Sequence, residues 1–199
     1  MPKIVDHDER RGEYVDALWR VVERDGAAAI SHRSVAAEAG MSKSNVAHYF
    51  PSRADLLATA VDQLVTQAER GGATLNLESV SIDTVVETIM FAIPDTPKRR
   101  QQTEIWLLLI AERGVDPRID LLLDGLNERV LTGIARQLAA LAAIGFIGKG
   151  RDIELEASRL HALVDGLSLH TMMSPRLVSP EKIRQVVAAH VADLMRSPD

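Results

Sequence analysis

The chain has 199 residues, of which 46% are hydrophobic and 26% are charged, and its formal net charge is −5 at pH 7. A chain of this length can bury a sizeable core. It contains no cysteine, which excludes disulfides and thiolate metal sites. Residues 1–12 lack the apolar stretch of a secretory signal, and the apolar run 105–111 is too short to span a bilayer. We therefore expect a cytoplasmic protein.

The charge is unevenly distributed along the chain. Residues 1–53 hold eight basic and eight acidic side chains, so the whole excess of negative charge follows residue 53. Within residues 31–53, Glu38 is the one acidic residue, and it opposes Arg33, Lys43 and Arg53. This segment is therefore locally positive in an acidic chain, which favours contact with a polyanion there.

Apolar residues recur at three- and four-residue spacing along the chain, which is the period of amphipathic helices. Serines, glycines and prolines mark where the helices begin and end. We predict an all-α fold of about nine helices, in which the helix that carries residues 105–110 is surrounded by other helices. The predicted helices span residues 8–24, 31–39, 42–48, 52–70, 82–93, a segment around 105–110, 116–143, 153–173 and 180–195.

The second and third predicted helices have the features of a helix-turn-helix. Val35 and Ala36 lie on the inner face of the first helix, and Gly40 provides the backbone freedom that a sharp turn needs. Apolar side chains can then anchor the second helix, namely Met41, Val46 and Tyr49. The side chains left on its outer face are polar: Lys43, Ser44, Asn45 and His48.

This outer face has the chemistry of a duplex-binding surface. Lysine can donate to guanine edges, asparagine can pair with adenine, and hydroxyl groups can hold phosphates. The same apolar pattern also occurs in helical proteins that bind no DNA. A single exposed histidine such as His48 is typical of a protein surface and does not by itself indicate a DNA contact. A helical small-molecule-binding or carrier protein without sequence-specific DNA binding is therefore the alternative.

Two segments give this pattern a specific resemblance. Residues 35–42, VAAEAGMS, followed by residues 48–57, HYFPSRADLL, resemble the tetracycline-repressor (TetR) family, and residues 163–170 and 179–181 resemble its last two helices. The small residue before His48 is similar to the choline-responsive, betaine-synthesis regulators of that family. The resemblance implies a dimeric repressor that binds a palindromic operator and is released by a small-molecule effector. It also implies a DNA-binding domain at residues 1–53 and a ligand-binding and dimerisation domain at residues 54–199.

The resemblance assigns DNA contacts by position. Arg33 matches a contact from the first helix of the motif, and Tyr49 and Arg53 match phosphate contacts. Ala47 departs from the family, because many members have a tyrosine there that touches the DNA backbone. The predicted DNA-binding residues are Ser31, Arg33, Ser42, Lys43, Ser44, Asn45, His48, Tyr49 and Arg53.

A dimer is expected because two recognition helices about 34–36 Å apart match one turn of duplex. The last two helices are apolar on more than one side, and closing the protomer core accounts for one side only. We therefore expect them to form the interface, as the resemblance implies. The predicted interface residues are Leu160, Val164, Leu167, Thr171, Ile183, Val187, His190, Val191 and Leu194.

The resemblance also implies an effector pocket in the body. The candidate lining residues are Phe91, Trp106, Ile110, Leu126, His161 and Asp165. Each could instead be a core residue, and the Asp165 carboxylate needs a partner, for which a neighbouring histidine suffices. Only three aromatic residues follow the motif, which disfavours a cage for choline. We expect an apolar or weakly acidic effector.

Other chemistries fit the sequence less well. The glycine-rich segment 145–150 lacks the preceding strand and the serine or threonine of a phosphate loop. His161 and Asp165 are one helical turn apart, but two ligands on one helix do not close a metal site. We find no set of catalytic residues and no cofactor motif, so we expect neither an enzyme nor a cofactor.

Overall fold

A computed structural model describes residues 7–71 and 77–197 of the chain. Over these residues it contains nine α-helices and no strand, which confirms the predicted fold class. No helix in the described part is long and apolar enough to cross a membrane. The helices are α1 (His7–Asp25), α2 (His32–Glu38), α3 (Lys43–Tyr49), α4 (Arg53–Gly71), α5 (Ile82–Met90), α6 (Pro97–Ala111), α7 (Pro117–Ala143), α8 (Ile153–Met173) and α9 (Pro180–Leu194).

The helices form two compact units. The first contains the described residues up to Thr66 together with Gln101–Leu126, and the second contains the described residues of Gln67–Arg100 and Asn127–Asp199. The division differs from the predicted boundary after residue 53, because the first part of α4 packs with α1. Trp19 of α1, for example, donates through Nε1 to Oε1 of Gln63 at 2.5 Å.

The helices begin where the serines predict. Ser31, Ser42 and Ser179 each accept a hydrogen bond from the backbone N–H three residues later, at 3.1–3.2 Å. Ser52 makes the same contact with Asp55, whose carboxylate accepts from the Ser52 amide in return. These bonds satisfy amides that a helix leaves unpaired in its first turn.

One predicted environment is wrong. The segment 105–110 of α6 is apolar on every side, yet only Ile105 and Leu109 are buried, and Ile110 is 43% exposed. Ile105 and Leu109 are four residues apart, so they lie on one face of the helix, and this face is buried.

The turn between α2 and α3 ends α2 through a Schellman motif. Gly40 has a φ of 65°, in the left-handed region that suits glycine. Its N–H donates to the Ala37 carbonyl at 3.3 Å, and the Met41 N–H donates to the Ala36 carbonyl at 2.9 Å. These two bonds satisfy the last carbonyls of α2 and reverse the chain within two residues.

The loop between α7 and α8 fastens the end of α9. Gly148 donates its N–H to the Leu194 carbonyl at 2.9 Å, and Arg151 Nε donates to the Arg196 carbonyl at 3.0 Å. Arg151 also pairs with Glu156 at 2.7 Å, with side chains that are 8% and 5% exposed. A Cβ at Gly148 would lie 2.1 Å from the Arg196 oxygen, so this loop and the end of α9 meet backbone to backbone.

The second unit buries most of the residues that were predicted to form a dimer interface. Val164 and Leu167 are partly buried against the same core. His190 is half-buried, its Nε2 atom has no hydrogen-bond partner among the described residues, and burial lowers its pKa. The interface prediction is wrong for the six residues that the protomer itself covers, because an apolar stripe does not show which chain covers it. These six are Leu160, Thr171, Ile183, Val187, Val191 and Leu194.

The Gly40 turn predicts a contrast between two glycine substitutions. Neither Gly40 nor Gly133, in the middle of α7, has an atom within 4 Å of an added Cβ, but only Gly40 has a positive φ. Gly40→Ala should lower the free energy of unfolding by about 1–2 kcal/mol through backbone strain. Gly133→Ala should raise it by about 0.5–1 kcal/mol, because alanine favours a helix. Urea denaturation followed by circular dichroism measures both, and equal effects of the two variants would contradict the assigned turn.

Candidate nucleic-acid interface

Buried apolar side chains anchor the inner faces of α2 and α3. Val35 and Ala36 of α2 and Val46 of α3 are buried, and so is Phe50 at the end of α3. The ring of Tyr14, on α1, lies 6.2 Å from that of Phe50 in an edge-on arrangement. Since α3 is only seven residues long, these contacts fix which of its faces points outward.

The outward face of α3 carries the polar residues that the sequence predicts. Lys43, Ser44, Asn45 and His48 are all exposed. The first three are consecutive in the first turn of the helix, and His48 lies one turn later. Arg33 is exposed on α2. The structure thus brings a lysine, an asparagine and hydroxyl groups together on one short helix, which is the set that can read base edges in a major groove.

The two cap serines are already partly engaged. Ser31 Oγ lies 3.0 Å from Ser34 Oγ, and Ser42 Oγ lies 2.9 Å from Ser44 Oγ. Their hydroxyls also accept the helix-capping bonds described above. Ser31 and Ser42 therefore orient α2 and α3, whatever further contact they make.

The two residues that match phosphate contacts are less exposed. Tyr49 is half-buried, and its ring centroid lies 5.3 Å from that of Tyr14. Arg53 is half-buried, and its Nε donates to the Ile30 carbonyl at 2.9 Å. Its Nη1 lies 3.3 Å from Glu112 Oε1.

The acidic residue of the segment 31–53 is neutralised by its neighbours. Glu38 pairs with Arg24 at 2.5 Å and with Arg20 at 2.8 Å. Hydrogen bonds from Arg24 and Arg20 lower the pKa of the Glu38 carboxyl, which keeps it ionised and bound to two cations. The positive charges of Arg33 and Lys43 are therefore not offset by a free carboxylate from this segment.

Sequence reasoning missed three residues that shape this surface. His32 Nε2 lies 2.6 Å from the Phe50 carbonyl, so it ties the start of α2 to the end of α3. Arg20 and Arg24 are four residues apart, and this spacing on α1 is a signal that could have indicated a shared acidic partner. His32 gives no such signal, because its partner is a backbone atom.

The candidate effector residues are divided between the two units. Trp106, Ile110 and Leu126 belong to the first unit, and Phe91, His161 and Asp165 belong to the second. Leu126 is buried, whereas Phe91 is 71% exposed. The Phe91 ring is covered by the guanidinium of Arg99, whose Cζ lies 4.5 Å from the ring centroid.

Asp165 has the histidine partner that the sequence analysis allowed. His161 Nε2 lies 3.5 Å from Asp165 Oδ2 on the same helix. No group of three or more potential metal ligands occurs among the described residues. The segment 145–150 is a connector between α7 and α8, as its context predicted.

Family models match most of the chain. Residues 15–60 match the model described as bacterial regulatory proteins of the tetR family, and residues 81–196 match the C-terminal region of BetI-type transcriptional repressors. The second match alone covers more than half of the sequence.

Whole-chain relatives agree with these models. The HTH-type transcriptional regulator PksA of Bacillus subtilis is 32% identical over 98% of this chain and 94% of its own length. The regulator BetI of Vibrio campbellii is 25% identical over 94% of this chain and 92% of its own.

Solved structures share the fold. A putative TetR-family regulator from Rhodococcus sp. has a TM-score of 0.75 and 22% identity, with coverage of 94% of this chain and 99% of its own. A putative regulator from Saccharomonospora viridis, solved in complex with choline, has a TM-score of 0.72 and 24% identity, with coverage of 93% and 96%. The chain belongs to the TetR family of bacterial transcriptional regulators, which are not enzymes and which bind operator DNA as homodimers and respond to small-molecule effectors.

Proposed function

We propose that this protein is a repressor whose α3 helices read the two halves of a palindromic operator through Lys43, Ser44 and Asn45. One observation carries this proposal: these three side chains are exposed side by side while the opposite face of α3 is buried. Arg33 and His48 extend the same polar surface. A protein with this role meets its operator in the cytoplasm, where bacterial DNA lies.

Base reading and phosphate binding divide among these side chains by their chemistry. The amide of Asn45 can donate to and accept from one adenine edge, whereas the ammonium of Lys43 can donate to a guanine edge. Arg33 and Ser31 lie at the start of α2, a helix that in helix-turn-helix proteins crosses the DNA backbone. We propose residues 1–53 as the DNA-binding domain in this functional sense.

Removal of the Asn45 amide should weaken operator binding and relax base preference. In a fluorescence anisotropy titration with the DNA upstream of the protein's own gene, Asn45→Ala should cost about 1–3 kcal/mol of binding free energy, because one bidentate base contact is lost. Lys43→Ala should weaken binding in the same assay. The matched controls are Asn127→Ala on α7 and Lys182→Ala on α9, both at exposed positions.

The proposed role of α3 predicts a second result in this titration. Wild-type protein must prefer the upstream DNA to a scrambled duplex of equal length. Equal affinity for both duplexes, or equal loss in the variants and their controls, rejects the proposal and favours the small-molecule carrier.

We further propose a dimer surface on the exposed face of α8. This face lies opposite the buried residues Leu160 and Thr171 and carries an apolar stripe at the spacing of one helix side. Gly166 and Ala162 are small enough to allow close approach of a second helix, and Ala189 and Ala192 are exposed on α9. The stripe consists of Leu155, Ala162, Gly166, Leu169 and Met173.

Charge placed on this stripe should separate the protomers. Leu169 is 41% exposed, so Leu169→Glu should leave the protomer folded while it opposes burial of the face against a partner. Analytical ultracentrifugation should show a monomer, and operator affinity should fall because two half-sites are no longer bound together. Leu121→Glu, at a leucine that is 75% exposed on α7, is the control and should stay dimeric. A dimeric Leu169→Glu variant would place the interface elsewhere.

For the effector, we propose an apolar or weakly acidic metabolite that binds in the body, residues 54–199. The aromatic residues after α3 and its Phe50 cap are Phe91, Trp106 and Phe146. Phe91 is exposed, and the guanidinium of Arg99 already lies over its ring. A quaternary ammonium needs several free aromatic faces, and this chain supplies few.

Choline should therefore fail to release the protein from its operator. Millimolar choline chloride is added to the protein–DNA complex and compared with sodium chloride of the same ionic strength, since salt alone weakens phosphate contacts. The anisotropy should fall equally with both salts. Release by choline beyond the sodium chloride control would contradict the proposed effector class.

A further inference from the structure

Three segments distant in sequence meet at the guanidinium of Arg53. Arg53 is the first residue of α4, and its Nε donates to the carbonyl of Ile30, the residue before the α2 cap, at 2.9 Å. Its Nη1 lies 3.3 Å from Oε1 of Glu112, which follows the end of α6. All three segments belong to the first unit.

These contacts occupy two sides of the same planar group. The guanidinium presents its donors in a fixed fork, so a bond at Nε and a bond at Nη1 together set the orientation of its plane. The side chains of Arg53 and Glu112 are 33% and 30% exposed, and a partly desolvated charged hydrogen bond is stronger than one in open water. A phosphate would have to approach the remaining N–H donors of Arg53 in the orientation that these two bonds set.

We propose that Arg53 is a positioning residue of the DNA-reading surface, and that Glu112 sets its orientation. The proposal rests on the DNA-binding function proposed above. The Ile30 carbonyl is one residue from Ser31, the cap of α2, so its position determines where α2 begins. The tight turn at Gly40 passes any shift of α2 on to α3.

A phosphate-binding role for Arg53 predicts different behaviour with salt. Loss of a phosphate contact reduces the slope of log K against log salt by about 0.9, or about 1.8 for the two copies in a dimer. Loss of a positioning residue weakens binding and leaves that slope unchanged. The two roles also predict opposite changes in DNA affinity when Glu112 is neutralised. If Arg53 binds a phosphate, the affinity should rise because Arg53 is released. If Arg53 is a positioning residue, the affinity should fall because its contact with Glu112 is lost.

The test uses Arg53→Gln, Arg53→Lys and Glu112→Gln, titrated with the upstream DNA over a range of salt concentrations. Each variant should bind about tenfold more weakly, because each loses one or both of the charged hydrogen bonds of Arg53, and each should keep the wild-type slope. Lysine should not rescue, because it lacks the fork of donors. Glu23→Gln, at an exposed acid on α1, is the control for removal of a negative charge.

Hydrogen exchange without DNA gives a second readout. Amides at the start of α2 should exchange faster in Arg53→Gln and Glu112→Gln than in wild type or Glu23→Gln, while thermal unfolding shows that each variant is folded. Unchanged exchange, tighter DNA binding by Glu112→Gln than by Glu23→Gln, or a flattened salt slope with rescue by Arg53→Lys would each overturn the proposal. Failure of wild-type protein to prefer its upstream DNA rejects the proposed function and leaves the exchange result to decide the role of Arg53.

Discussion

Two helices of seven residues cannot hold their own geometry, and this constraint governs the whole DNA-reading surface. Isolated helices shorter than about 12–15 residues are marginal in water. Here α2 and α3 are fixed by three kinds of contact that reinforce one another. Serine caps set where each helix begins, the Gly40 turn sets the angle between them, and buried Val35, Val46 and Phe50 fasten both to the core of the first unit. The exposed polar row on α3 exists because its opposite face is anchored.

The elements that could be predicted from the sequence are those with a local physical signal. The bounds of α8 match the predicted helix, and its start is given by an aspartate cap at residue 152. The turn at Gly40 and the caps Ser31 and Ser42 could be predicted for the same reason, since each acts on atoms a few residues away. The exposed polar residues of α3 could also be predicted, because Val46 is the one large apolar residue among residues 43–48.

What sequence reasoning missed depends on contacts distant along the chain. An apolar stripe on α8 or α9 shows that something covers it, but not whether α5, α7 or a second protomer does so. The buried residues Val187 and Val191 were for this reason assigned to the wrong surface. Glu112 gave no signal at all, because its partner Arg53 is 59 residues away. The effector site shares this difficulty, since its lining is defined by packing and not by a motif.

The acidic net charge of the chain does not prevent a positive local field. Glu38 is paired with two arginines from α1, so the positive charges of Arg33 and Lys43 are not offset by a free carboxylate from the segment 31–53. Salt screens the interaction between exposed charges that are more than about 10 Å apart. Close to the protein surface, the local arrangement of charges therefore affects the attraction of a polyanion more than the net charge of the chain does.

The shortness of α3 limits how much information one protomer can extract from a duplex. Seven residues rise about 10 Å, which is the length of about three base pairs. Two protomers would then specify about six positions, a pattern that recurs by chance roughly once in 4,000 base pairs and thus many times in a bacterial genome. This frequency already requires a fixed distance between the half-sites, and further discrimination must come from the shape of the intervening duplex. The rigidity of the protein scaffold is therefore itself a determinant of which genes are found.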